Sequence, residues 1–93
     1  MLELEEYVLE MAYVGSPPGL LVATTLRTIF VPTRGMGAGP ALSVRHRDIR
    51  ATRLYRIDDV VLDTRAGEMR WEGVLPMERS ATLVDLIARR AGA

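Results

Sequence analysis

The sequence contains no cysteine, lysine, asparagine or glutamine. Without cysteine, disulfides, thiolate chemistry and cysteine-type zinc sites are excluded. A small domain that does without disulfides fits a reducing compartment. Histidine occurs once, at His46, and no further ligands at metal-binding spacing accompany it. Long apolar runs are missing too. The longest, Gly19 to Ala23, is far too short to span a bilayer. The acidic start, with Glu3, Glu5 and Glu6, lacks the basic residues and apolar stretch of a secretory signal. A cytoplasmic protein with no transmembrane segment is the expectation.

Catalytic signatures are equally scarce. There is no Gly-x-Ser-x-Gly, P-loop or dinucleotide fingerprint. Gly35-Met36-Gly37-Ala38-Gly39 has glycine spacing, but Pro40 follows it instead of Lys-Ser/Thr and a helix. It reads as a flexible loop. Asp58, Asp59 and Asp63 do not form a calcium loop and read as a turn and a strand end. His46 and Asp48 alternate along the chain, and the expectation is an exposed strand histidine among arginines rather than an acid–base pair. No nucleophile–base pair and no metal set can be assembled, so neither an enzyme nor a cofactor is expected.

What is present suits one domain over residues 1–93 with a single core: 93 residues, 48 % of them apolar. Turn signals recur every 8–12 residues, as in all-β sandwiches and barrels. Expected strands run over residues 6–14, 20–25 and 27–31. The stretch Leu42 to Tyr55 is too long for one strand, and Asp48 is expected to bend it into a fourth and a fifth. Residues 59–63 and 69–74 complete a set of seven, with Gly67 in the last hairpin turn. Gly15-Ser16-Pro17-Pro18-Gly19 is expected to interrupt the ladder between the first two strands. After Pro76 the period changes. Leu83, Val84 and Ile87, with Ser80 and Ala91, recur at helical spacing. Glu78 at the start, Arg89 and Arg90 at the end and Gly92 beyond suit a helix of about residues 77–91. Trp71 and Met69 are expected to pack inward, and Tyr7, Tyr13 and Tyr55 to be ordinary strand residues.

Three stretches resemble the pleckstrin-homology superfamily, and within it the bacterial PH-like and GRAM-like domains. GLLVATTLRTIFVP, from Gly19 to Pro32, is similar to the family's second-to-third strand hairpin. RHRDIRATRLYR, from Arg45 to Arg56, resembles its fourth and fifth strands, and VVLDTRAGEMRWEGV, from Val60 to Val74, its last hairpin. The resemblance implies a mainly β fold: a bent, seven-stranded antiparallel sandwich, or partly open barrel, capped by one C-terminal α-helix. Members act as lipid binders, peptide binders or oligomerisation modules, so fold does not fix function. Phosphoinositide-binding members carry Lys and Arg around the first inter-strand loop. Here Gly15 to Ala23 holds no cation, so the resemblance brings no phosphoinositide site at that place.

The charge is zero overall but uneven. Residues 27–56 hold seven arginines against one acid, Asp48, giving +6, and the rest of the chain carries −6. All twelve basic residues being Arg is explained more simply by GC-rich codon usage than by a choice of bidentate anion contacts. The candidate partner- or anion-binding residues are Arg45, Arg47, Arg50 and Arg53, with Arg27 and Arg34 as neighbours. Pairing with Glu3, Glu5, Glu6 and Glu10 of the first segment is the competing account. The leading functional expectation is a non-catalytic interaction module that binds a protein partner or self-associates as a scaffold. Peripheral binding of anionic membrane lipid or another polyanion is the alternative. Nucleic acid is disfavoured by the zero net charge and by aromatics that do not interleave with the arginines.

Overall fold

The computed structural model describes residues 4–33 and 41–92. Among the described residues, seven strands precede one α-helix: β1 (Val8–Gly15), β2 (Pro18–Thr24), β3 (Arg27–Pro32), β4 (Leu42–Arg45), β5 (Ile49–Tyr55), β6 (Asp59–Thr64), β7 (Gly67–Trp71) and α1 (Arg79–Ala91). All pairings are antiparallel. They form a four-stranded sheet in the order β1-β2-β3-β4 and a three-stranded sheet in the order β5-β6-β7. The protein is therefore mainly β, a seven-stranded antiparallel sandwich with one C-terminal helix.

The expected division of Leu42–Tyr55 is present. A 3-10 turn, His46–Asp48, separates β4 from β5 and carries the chain from one sheet to the other. At the opposite corner the sheets are stitched together. Tyr13 and Leu75 exchange two backbone hydrogen bonds, with N–H donors 3.1 and 2.8 Å from their carbonyl acceptors, and Ser16 bridges Glu72.

The Gly15–Gly19 stretch differs from expectation. The ladder runs through it, with Gly15 opposite Pro18 and Gly19 opposite both Val14 and Pro32. Ser16 and Pro17, joined by a cis peptide, form the turn. Pro18 is tolerated because it opens its strand, where a missing N–H costs least. Gly19 allows close approach: a Cβ there would lie 2.5 Å from the Phe30 ring and from the Val31 carbonyl. The seventh strand ends early, at Trp71, because residues 72–75 turn to join β1 instead.

Both sheets send alternate side chains inward. Ala12, Val14, Leu21, Ala23, Phe30, Val60, Leu62 and Trp71 make one core with Val74, Leu83 and Ile87. Phe30 and Trp71 meet with ring centroids 5.9 Å apart. Trp71 is thus a packing residue, and Met69 packs against the same cluster. The helix closes the core through Leu83 and Ile87, both fully buried. Their side chains lie one turn apart on its apolar stripe. It begins two residues later than expected. In its first turn, the Ser80 hydroxyl lies 2.6 Å from the Met77 carbonyl and 2.7 Å from that of Ile57. No helix among the described residues is long and apolar enough to cross a membrane.

Candidate functional site

The six arginines singled out in the sequence do not form one face. Arg27 and Arg45 are cross-strand partners on β3 and β4, in the four-stranded sheet. Arg50 and Arg53 lie on β5, in the other sheet, and Arg47 sits in the turn between. Arg34 lies outside the described residues.

Arg27 is committed inside the molecule. Its Nε and Nη2 donate to the Glu6 carboxylate at 3.0 and 3.2 Å, and the Glu6 side chain is fully buried. The Thr24 hydroxyl donates to the same carboxylate and accepts from the Leu26 and Arg27 amides. A buried carboxylate needs such partners, so this part of the acidic first segment pairs as the competing account expected. Arg53 bonds Glu68 at 2.9 Å, but both side chains are more than half exposed, which makes the pair a weak tether. Arg47 and Arg50 are exposed.

His46 departs from expectation. It is 3 % exposed, and its Nε2 shares a 3.0 Å hydrogen bond with the Thr28 hydroxyl. The turn that joins the sheets rotates it inward, off the strand alternation that placed it outside. Burial is the main cause of its pKa falling from 6.5 to about 4. The positive charge of Arg90 adds to this and Glu6 opposes it. It is a neutral interior histidine.

Two concavities lie near the arginines. One, of about 360 Å3, opens at the unstitched corner, where Ser43, Val44 and Arg45 of β4 face Asp48, Thr64 and Arg65. Arg65 Nε is 3.7 Å from Asp48 there. The other is a groove of about 230 Å3 between Ile49–Thr52 of β5 and Ala88 and Ala91 of α1, with Gly92 just beyond it. It runs beside the outer edge of β5, which pairs only with β6 in its sheet. No loop or turn backbone among the described residues bonds to that edge. Arg50 lines the groove, and Arg89 and Arg90 occupy the last turn of the helix beside it. Leu54 and Tyr55 continue the strand, both exposed. This edge offers backbone donors and acceptors that have no backbone partner among the described residues, with cations beside them. Side-chain types carried no sign of it, because its chemistry belongs to the backbone.

The described residues hold no cluster of three His, Cys, Asp or Glu side chains able to bind a metal ion. The three aspartates singled out in the sequence have separate settings. Asp58 is half-buried, Asp59 is buried and accepts from Arg70 at 3.2 Å and from the Gly73 amide at 3.3 Å, and Asp63 is exposed.

No family model matches the chain, and no curated protein matches it. Among solved structures, the chain is similar to the C-terminal domain of an unknown protein from Leishmania infantum. The TM-score is 0.63 at 16 % identity, over 88 % of this chain and 84 % of that one. A likeness at that identity concerns the fold.

Proposed function

We propose that this chain is a non-catalytic, pleckstrin-homology-like interaction module of the cytoplasm that docks a protein partner. The order of elements supports the family reading: four antiparallel strands, then three, then one C-terminal helix. The observation that carries the functional reading is the free edge of β5 beside the groove against α1. A seven-residue strand edge accepts an extended segment by adding it to the sheet, with main-chain bonds giving affinity and flanking pockets selecting side chains. Arg50 lines the groove, and Arg89 and Arg90 lie in the last helical turn beside it, so the segment it suits is acidic.

The test is a titration of isotope-labelled protein with extended acidic peptides selected by display. Backbone amides of residues 50–54 and 88–92 should shift, and the double variant Arg50→Glu/Arg53→Glu should weaken binding at least about tenfold while remaining folded. Shifts confined to other surfaces would remove the reading. Sedimentation with anionic phospholipid vesicles, lost in the same variant and without peptide binding, would replace it with the membrane alternative.

A further inference from the structure

We infer that the outer face of the four-stranded sheet is a homodimer interface, a surface separate from the β5 edge. The outer faces of the two sheets are unlike. That of the three-stranded sheet is ionic: Arg53 pairs with Glu68, and Arg70 with Asp59 and Glu72. Arg70 also lies 4.4 Å from the centre of the Tyr55 ring.

The four-stranded sheet carries two uncharged cross-strand ladders outside. One runs Leu75, Tyr13, Leu20, Val31. The other runs Met11, Val22, Ile29, Ser43. Their strand neighbours Ala12, Leu21, Ala23 and Phe30 are the ones in the core, and alternation puts the ladders on the opposite face. A sheet with one solvated face carries polar residues there. This face carries seven apolar side chains and one serine, with Tyr13 63 %, Leu75 62 %, Met11 40 % and Val31 37 % exposed. Beyond the second ladder lies the cross-strand pair Arg27 and Arg45, both half-buried, so charged residues bound the apolar face at that end. Apolar centre and polar rim is the anatomy of an interface.

Three properties point to a second copy as the occupant. An uncharged surface brings no like-charge repulsion when it meets itself, which a two-fold interface requires. The ladders grade in size, from Leu75, Tyr13 and Met11 at one edge to Val31 and Ser43 at the other. A two-fold axis parallel to the strands sets the large edge of one copy over the small edge of its partner. Two such sheets then stack about 10 Å apart, as layers of a sandwich do. The area also fits. The apolar side chains expose on the order of 400 Å2. Two such faces with their rims bury about 1,000 Å2, the low end for a specific contact. The dimer is accordingly weak and reversible.

Sedimentation velocity on the full chain, from about 1 µM to about 1 mM, should show a monomer–dimer equilibrium that ammonium sulfate strengthens. Tyr13→Glu and Val31→Lys, made separately, should each weaken it at least about tenfold. Their melting curves under dilute conditions report whether they stay folded. Independently of any variant, mixed-label NMR should give intermolecular contacts between the Tyr13 ring and the Val31 methyls. A monomer throughout overturns the inference, as does a dimer without the Tyr13–Val31 contacts. Dimerisation lost in Arg50→Glu/Arg53→Glu but kept in both face variants also overturns it, and leaves the β5 reading standing.

Discussion

His46 links a single side chain to the pH range in which the fold persists. In the unfolded chain its imidazole titrates near 6.5, and in the folded protein at about 4. Between those values the unfolded state binds more protons, so stability falls as pH drops. The contribution is fully present above 6.5 and is lost by about 4. Its full size is about 3 kcal/mol. Urea unfolding of the parent and of His46→Gln across that window should give profiles that converge towards acid, and parallel profiles would rule out a neutral buried His46. Arg27 makes the second residue-scale prediction. Arg27→Ala strands the buried Glu6 carboxylate and should cost about 3 kcal/mol or more. Arg53→Ala, at an exposed pair, should cost under about 1 kcal/mol. Equal losses in the two would contradict the buried pairing. The setting of His46 was not legible in the sequence, because it opens a turn, His46–Asp48, that breaks alternation. Pairing of the arginines with the acids of the first segment was one of two accounts the sequence offered, but which acid meets which arginine was not legible. Glu6 meets Arg27 because the chain before β1 lies against the turn between β2 and β3.

Elements were more legible than residues. β3 and β6 announce themselves through Thr28, Ile29 and Phe30, and through Val60, Val61 and Leu62, because β-branched and aromatic side chains suit a pleated surface. The helix was legible from the spacing of Leu83 and Ile87. Each lies in the core, and Leu83→Ala or Ile87→Ala should cost about 2 to 4 kcal/mol. Equilibrium denaturation measures this, and unchanged midpoints in both would mean that α1 does not close the core. The arginine excess of residues 27–56 misled as a guide to a single face. A charge count follows the chain, and at His46–Asp48 the chain leaves one sheet for the other. Arg45 and Arg50 are near in sequence but belong to different layers. The β5 edge had no signature at all, since an unpaired backbone looks the same as a paired one in sequence.

For the whole molecule, the sandwich and its capping helix followed from strand count, turn spacing and the final change of period. The apolar outer face had one trace in the sequence, the uninterrupted run from Leu20 to Ala23. A strand apolar on both sides reads like any core strand, so the run could not say which side lacked a cover. The stitched corner has a consequence for how the protein is made. The Met11 carbonyl accepts from Arg79, 68 residues further on, at 2.8 Å, and Tyr13 waits for Leu75. During synthesis at about 5–20 residues per second, the outer edge of β1 stays unsealed for roughly three to twelve seconds after it emerges. An open strand edge beside exposed Met11 and Tyr13 is a template for unwanted pairing. The nascent chain is therefore most vulnerable between the appearance of β1 and the arrival of its last helix, and a chaperone that shields apolar strands would act in that interval.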